Sequence, residues 1–243
     1  MNQDVSLLGY QIKNIELKQV VAEIISKVNE PHLYRVLTLN SEMIGLSYNN
    51  KQLKSWLQTS HLVVADGQGL GWAGKVLKNF NIKVVTGISI VMKLIENQNR
   101  SIYFIGGTQV VIDKLINNIG KNPKCCEIAG YRNGYFLDQE TQSVIDDIVT
   151  AQPDIILVGL GFPKQEQFIE ALSKKYNKGV AIGVGGSFDV IAEFKKHAPK
   201  WVRRLKCEWL FRGLQEPSRI VRWKYLLKFM LLVFKKRRNK QVT

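Results

Sequence analysis

The chain has 243 residues, 45% of them apolar, which is enough to bury a hydrophobic core and excludes disorder, a disulfide miniprotein and a collagen-like fibre. Its 35 Lys and Arg against 20 Asp and Glu give a net charge of +15, and the excess is concentrated: residues 195–243 hold 16 basic and 2 acidic side chains, residues 1–194 hold 19 and 18. A nearly neutral globule therefore precedes a cationic segment suited to an anionic partner.

In chain order, Met1–Gly9 lacks a basic stretch followed by an apolar run, so no secretory signal is expected there. Tyr34–Leu39, Leu62–Ala65, Ile102–Ile105, Ile155–Val158 and Val180–Val184 are short apolar runs rich in β-branched residues, as in strands buried on both faces. Between them, Gln109–Ile119, Gln139–Thr150 and Lys164–Tyr176 space their apolar residues as helices do. This alternation predicts an α/β fold: a mostly parallel, Rossmann-like sheet with helices on both faces, binding its ligand outside the carboxyl ends of the strands. Strand signals stop near Lys195–Pro199, which predicts a core over residues 1–195 and a basic helical appendage over 196–243. The apolar stretch Trp223–Phe234 spans about 18 Å as a helix, against a hydrocarbon core of about 30 Å. It contains Lys224 and Lys228, so it suits a bilayer interface and cannot cross one.

The expected strand ends carry the residues of chemical interest. Gly106-Gly107-Thr108 and Gly183–Ser187, with Gly185 and Gly186, let backbone approach a phosphate at a helix start, or simply make tight turns. Neither is a dinucleotide fingerprint or a P-loop. Asp66, between Ala65 and Gly67, reads either as a cap for the next helix or as a general base near a sugar hydroxyl. Thr38 and Asn40 stand where they would orient it, and Asp189 either touches a ligand or favours a helix N-terminus. In the basic segment Arg219 and Arg222 fall on one helix face, and guanidinium groups, Arg212 included, suit a diphosphate. A non-enzymatic alternative is a nucleic-acid or membrane-surface binder using the same cations with Trp201, Trp209 and Trp223. The scattered His32, His61 and His197, the Cys125-Cys126 pair with distant Cys207, and the lack of an Asp-x-Asp motif lead us to expect no metal cofactor and a reducing compartment.

Taken together, Thr38-Leu39-Asn40, Ala65-Asp66-Gly67, Val85-Thr86-Gly87, Phe104–Gly107, Gly130–Phe136, Gly159–Glu166, Gly183–Asp189 and Glu208-Trp209-Leu210 through Arg222 resemble the WecG/TagA/CpsF family of bacterial glycosyltransferases over nearly the whole chain. The resemblance implies inverting transfer of a sugar, such as N-acetylmannosamine, from a UDP-sugar to a polyprenyl-diphosphate-linked saccharide for a cell-surface polysaccharide. The place implied is the cytoplasmic face of the bacterial inner membrane, where the protein would be peripheral and able to self-associate, with no nucleic-acid partner. It implies Asp66 as general base, Thr38, Asn40 and Gln165 lining the same pocket, and Arg212, Arg219 and Arg222 on the lipid diphosphate. Members often read Arg-Val-Thr-Gly-x-Asp-Leu where this chain has Val84-Val85-Thr86-Gly87-Ile88-Ser89-Ile90, so the arginine and aspartate are replaced by Val84 and Ser89. Lys83 is the neighbouring cation.

Overall fold

The computed structural model describes residues 4–192 and 223–240. A two-stranded antiparallel hairpin, β1 (Val5–Leu7) and β2 (Tyr10–Ile12), precedes helix α1 (Leu17–Ser26). The central sheet has six parallel strands in the order β4-β3-β8-β7-β5-β6: β3 (Tyr34–Leu39), β4 (Leu62–Ala65), β5 (Ser101–Gly106), β6 (Glu127–Arg132), β7 (Ile155–Gly159) and β8 (Val180–Gly183). The connecting helices are α2 (Ser41–Ser47), α3 (Lys51–Gln58), α4 (Gln68–Lys78), α5 (Gly87–Ile95), α6 (Gln109–Gly120), α7 (Thr141–Ala151), α8 (Lys164–Leu172) and α9 (Ser187–Ile191). The terminal helix, labelled α10, is Trp223–Lys240.

Strand period decides which side chain meets which layer. Val36, Leu62, Val64, Phe104, Leu157 and Ile182 pack on one face with α1, α5, α6 and α9. Their neighbours point the other way: Ile105, Ile156, Val158 and Ala181 meet α7 and α8, and Leu37, Leu39, Val63 and Ala65 meet α2, α4 and α10. Both faces are thus covered, as all-parallel pairing requires.

The topology places the crevice. From β3 the chain steps outward to β4, then crosses the sheet to β5, steps outward again to β6, and fills the centre with β7 and β8. Connections leaving in opposite directions open space above the carboxyl ends of the central strands.

The terminal helix sits on the core. Its Phe229 and Val233 are buried between α2 and α4, and Trp72 of α4 meets Phe229 and Phe234 with ring centroids 6.4 and 5.7 Å away. At Gly45 a Cβ would lie 2.0 Å from the Tyr225 carbonyl oxygen, so only glycine admits α10 at this spacing. Leu227, Met230 and Leu231 stay exposed on its outer side, among Lys224, Lys228 and Lys235, and Phe234 is partly exposed beside Trp72.

Candidate active site

The sheet strands run out into glycine or small polar residues, and parallel pairing brings those ends to one rim. A Cβ on Gly106 would lie 2.5 Å from the Gly159 carbonyl oxygen, and one on Gly159 would lie 2.9 Å from that of Gly185. The ends of β5 and β7 and the turn after β8 therefore approach backbone to backbone, with the Phe188 ring against Gly159. Gly106 also holds φ +140°, which a side chain would oppose. Thr108 caps α6 by accepting from the Val111 amide (3.3 Å), with Gly107 half-buried before it. Gly185 is half-buried and Gly186 exposed at the start of α9, with Asp189 in that helix's first turn.

The other half of the rim is built by β3 and β4. The Asp66 amide donates to the Leu39 carbonyl at 2.7 Å, which sets Asp66 beside Asn40. Asn40 caps α2 through its Oδ1, 3.0 Å from the Met43 amide. Asp66 itself does not occupy a cap position: Gly67, at φ +81°, is the N-cap of α4. Asp66 is half-buried and immediately precedes that cap. Thr38 is buried, and its hydroxyl donates to the Gly183 carbonyl at 2.9 Å, stitching β3 to β8. The Thr38 hydroxyl also lies against Gly87, at the start of α5.

Gln165, in the first turn of α8, is 1% exposed. Its side-chain oxygen accepts from the Gly185 amide at 3.0 Å, so it reaches the rim from beneath. The structure therefore gathers Thr38, Asn40, Asp66, Gln165 and the glycine turns at one end of the sheet, with Thr38 and Gln165 buried and Asp66 half-buried. Arg212, Arg219 and Arg222 lie outside the described residues.

The two departures from the family pattern have local explanations. Ser89 takes a capping part in α5: its amide bonds the Thr86 hydroxyl at 3.3 Å and its own hydroxyl donates to the Thr86 carbonyl at 2.7 Å. Val84 bridges to Ala65, next to Asp66. Lys83 is engaged elsewhere, its ammonium 3.0 Å from Glu16.

Among the described residues no three His, Cys, Asp or Glu side chains converge as a metal site would need. Burial pushes the Cys126 thiol up to about 12, which makes it a structural side chain and a poor nucleophile. A groove of about 380 Å³ runs along Tyr10, Lys13, Gln58, His61 and Leu62, at the hairpin and the entry to β4 and away from the rim.

Fold and rim together describe a parallel α/β protein whose glycine turns and Asp66 lie at the carboxyl end of one sheet. Comparison with known proteins narrows the class. The model of the glycosyl transferase WecG/TagA/CpsF family matches residues 5–243, and the chain belongs to that family. It is a glycosyltransferase. The chain is 31% identical over 209 residues to the N-acetylglucosaminyldiphosphoundecaprenol N-acetyl-beta-D-mannosaminyltransferase of Bacillus subtilis (strain 168), covering 85% of this chain and 81% of that protein. It is 29% identical over 241 residues to the protein of the same name from Staphylococcus aureus (strain MW2), covering 97% and 94%.

Proposed function

We propose that this glycosyltransferase moves an N-acetylhexosamine, N-acetylmannosamine first among candidates, from a UDP-sugar to a polyprenyl-diphosphate-linked saccharide, inverting the anomeric carbon. The observation that carries the chemistry is the placement of Asp66, outside the α4 cap and tied to the end of β3 beside Asn40. The names of the relatives support the acceptor class and the sugar.

In this reading the donor diphosphate rests on the floor formed by Gly106, Gly107, Gly159 and Gly185, where Thr108 and Asp189 flank it. Backbone amides stabilise the charge that gathers on the leaving group. Asp66 takes the proton of the acceptor hydroxyl as that oxygen bonds the anomeric carbon, and the bond to UDP breaks with its electron pair going to UDP. Holding both substrates in line removes much of the bimolecular entropy cost. Arg212, Arg219 and Arg222 are assigned to the acceptor diphosphate. The step uses protein groups alone, so activity should survive a metal chelator.

The outer side of α10 suits the cytoplasmic face of an anionic membrane. Its exposed Leu227, Met230 and Leu231 can insert while the flanking lysines meet the headgroups, each worth about 1 kcal/mol near such a surface. No helix among the described residues is long and apolar enough to cross a membrane.

The deciding experiment incubates the enzyme with a panel of UDP-sugars and a short-chain polyprenyl-diphosphate N-acetylglucosamine, with and without chelator, and reads products by mass. One added N-acetylhexosamine, with UDP released, supports the proposal. Failure with every UDP-sugar removes the donor assignment.

A further inference from the structure

Glu166 has no part in the chemistry above, yet it is the carboxylate most deeply placed beneath the rim. It follows Gln165 in the first turn of α8 and is 7% exposed. One carboxyl oxygen accepts from the Gln165 amide nitrogen at 3.2 Å. The other has no hydrogen-bond partner among the described residues. Directly above lies Gly183, the last residue of β8: a Cβ there would fall 2.4 Å from the Gln165 nitrogen and 3.0 Å from the Glu166 oxygen. Glycine at 183 thus makes the space in which this pair sits.

A buried carboxylate that is only half satisfied costs stability, and an apolar side chain would fill the position more favourably. What the carboxylate provides is direction. A glutamine side chain has one donor end and one acceptor end, and the two ends have nearly the same shape. With its nitrogen held by Glu166, the Gln165 oxygen must face the other way, toward the Gly185 amide, which it accepts at 3.0 Å. Turned over, the amide would set its NH₂ against the Gly185 N–H, donor against donor.

We propose that Glu166 is a positioning residue: its carboxylate fixes which way round the Gln165 amide lies, and that amide pins the Gly185 turn on which donor binding depends. This rests on the transferase reading above and extends it to a residue that touches neither substrate. The relay runs Glu166, Gln165, Gly185, and is braced from the other side by Thr38, which bonds the Gly183 carbonyl.

The charge state of Glu166 matters to this role. Burial pushes its carboxyl up to about 7. The charged groups facing the same small pocket are Arg35 of β3 and Glu170 of α8, which pair with each other; Trp56 and Ser60, from the α3 side, bring no charge. Once protonated, Glu166 can still accept from Gln165 through its carbonyl oxygen, but the bond loses its charge assistance and the amide is held less firmly. Donor binding should therefore weaken as pH falls through about 7.

The test compares full-length wild type, Glu166→Gln and Glu166→Leu. UDP affinity, donor KM and kcat are measured on either side of about pH 7, together with thermal unfolding at each pH. Glu166→Leu is expected to raise donor KM about tenfold, with a smaller change in kcat. Glu166→Gln, whose side-chain oxygen can still accept from Gln165, should stay within about threefold of wild type at alkaline pH and lose the wild-type pH dependence of KM. Leucine and wild-type enzymes with equal KM would overturn the proposal, as would a glutamine variant no better than the leucine one. If Glu166→Leu does not fold, the glutamine variant decides: a pH profile of KM unchanged from wild type overturns the role. Wild type that binds neither UDP nor any UDP-sugar would instead overturn the donor reading. The unfolding measurement needs no substrate, so it still reports whether Glu166 titrates as described.

Discussion

At the amino end of the central sheet, Arg35 pairs with Glu170 and donates to the Thr59 carbonyl, Arg100 stands 3.8 Å from Asp154, and the Tyr34 hydroxyl donates to Glu23. At the carboxyl end the same strands finish in Gly106, Gly159 and Gly183, in the Thr38 hydroxyl and in Asp66 beside Asn40. One end spends its long polar side chains on one another, closing the bottom of the sheet. The other is kept short and small, so that something from outside can approach the backbone. The difference separates scaffold from site more sharply than charge or cavity size does, since the roomiest groove described lies at the hairpin and the start of β4.

The comparison breaks most decisively at Asp66. Asp66→Asn should lower kcat by about 10²–10⁴-fold, worth about 3–5 kcal/mol of barrier, while UDP affinity stays within a few-fold of wild type. Steady-state rates with the donor, read beside UDP calorimetry, check both halves. Near-normal turnover would remove the carboxylate from the chemistry and leave the rim a binding surface only.

The next largest effect lies just beneath the rim and concerns stability. Glu166 has a folded-state value of about 7 against an ordinary 4.5, so between those values the native state holds more protons than the unfolded chain. Stability therefore falls as pH rises through that window and stays lower above it. Replacing the acid with glutamine should remove a cost on the order of 3 kcal/mol at pH above about 7, and nothing below about pH 4. Denaturant unfolding of Glu166→Gln and wild type at both pH values checks it. A gain of the same size at both would show that the variant acts through packing.

Much of this contrast was legible in the sequence. Tyr34–Leu39 and Leu62–Ala65 were expected as strands and are β3 and β4, because side chains buried on both faces leave an unbroken apolar run. Five of the six strands of the parallel sheet, and Asp66 at a strand end, follow from the same signal. The strand β6 left no such run: it is an edge, half-exposed, with Gly130 next to a register shift against β5. The hairpin of β1 and β2 was hidden by its Leu8-Gly9 turn, in which Leu8 takes a left-handed conformation usually left to glycine or asparagine. Helix α2 was obscured by starting two residues after β3, and α4 by three glycines, one of which, Gly74, leaves room for Ile82. The expected Lys164–Tyr176 helix ends at Leu172. Thr38, Asn40, Asp66 and the glycine turns stand out by their place at strand ends, whereas Gln165 comes from the family resemblance and Glu166 has no role of its own legible in the sequence. Only tertiary packing beneath Gly183 reveals it.

A smaller effect is expected at the seat of α10, which packs on the two helices that follow Asn40 and Asp66. Gly45→Ala would drive a methyl into the Tyr225 carbonyl, so the helix must shift or lift, at a cost of about 1–3 kcal/mol. Sedimentation with anionic vesicles and kcat should be read together. If lifting α10 lowers turnover while vesicle binding persists, the helix supports the rim as well as the membrane contact. If turnover is unchanged, its packing on α2 and α4 is separable from catalysis.

The smallest expected effect comes from the amino end, and it tests whether that end is only scaffold. Arg100 and Asp154 are each about a quarter exposed and 3.8 Å apart. Water screens such a pair, so Asp154→Asn should cost no more than about 1 kcal/mol. The asparagine oxygen can keep the bond that Asp154 accepts from the Ser101 amide at 3.2 Å, which holds the start of β5 to the start of β7. Because β5 and β7 are buried and rigid along their length, a small loosening at their entry should not reach Gly106 and Gly159 at their exit. Unfolding midpoints should therefore fall slightly while kcat/KM stays at the wild-type value. A clear loss of kcat/KM would mean that strain at the entry of these strands travels to the glycine floor, and that the two ends of the sheet are coupled.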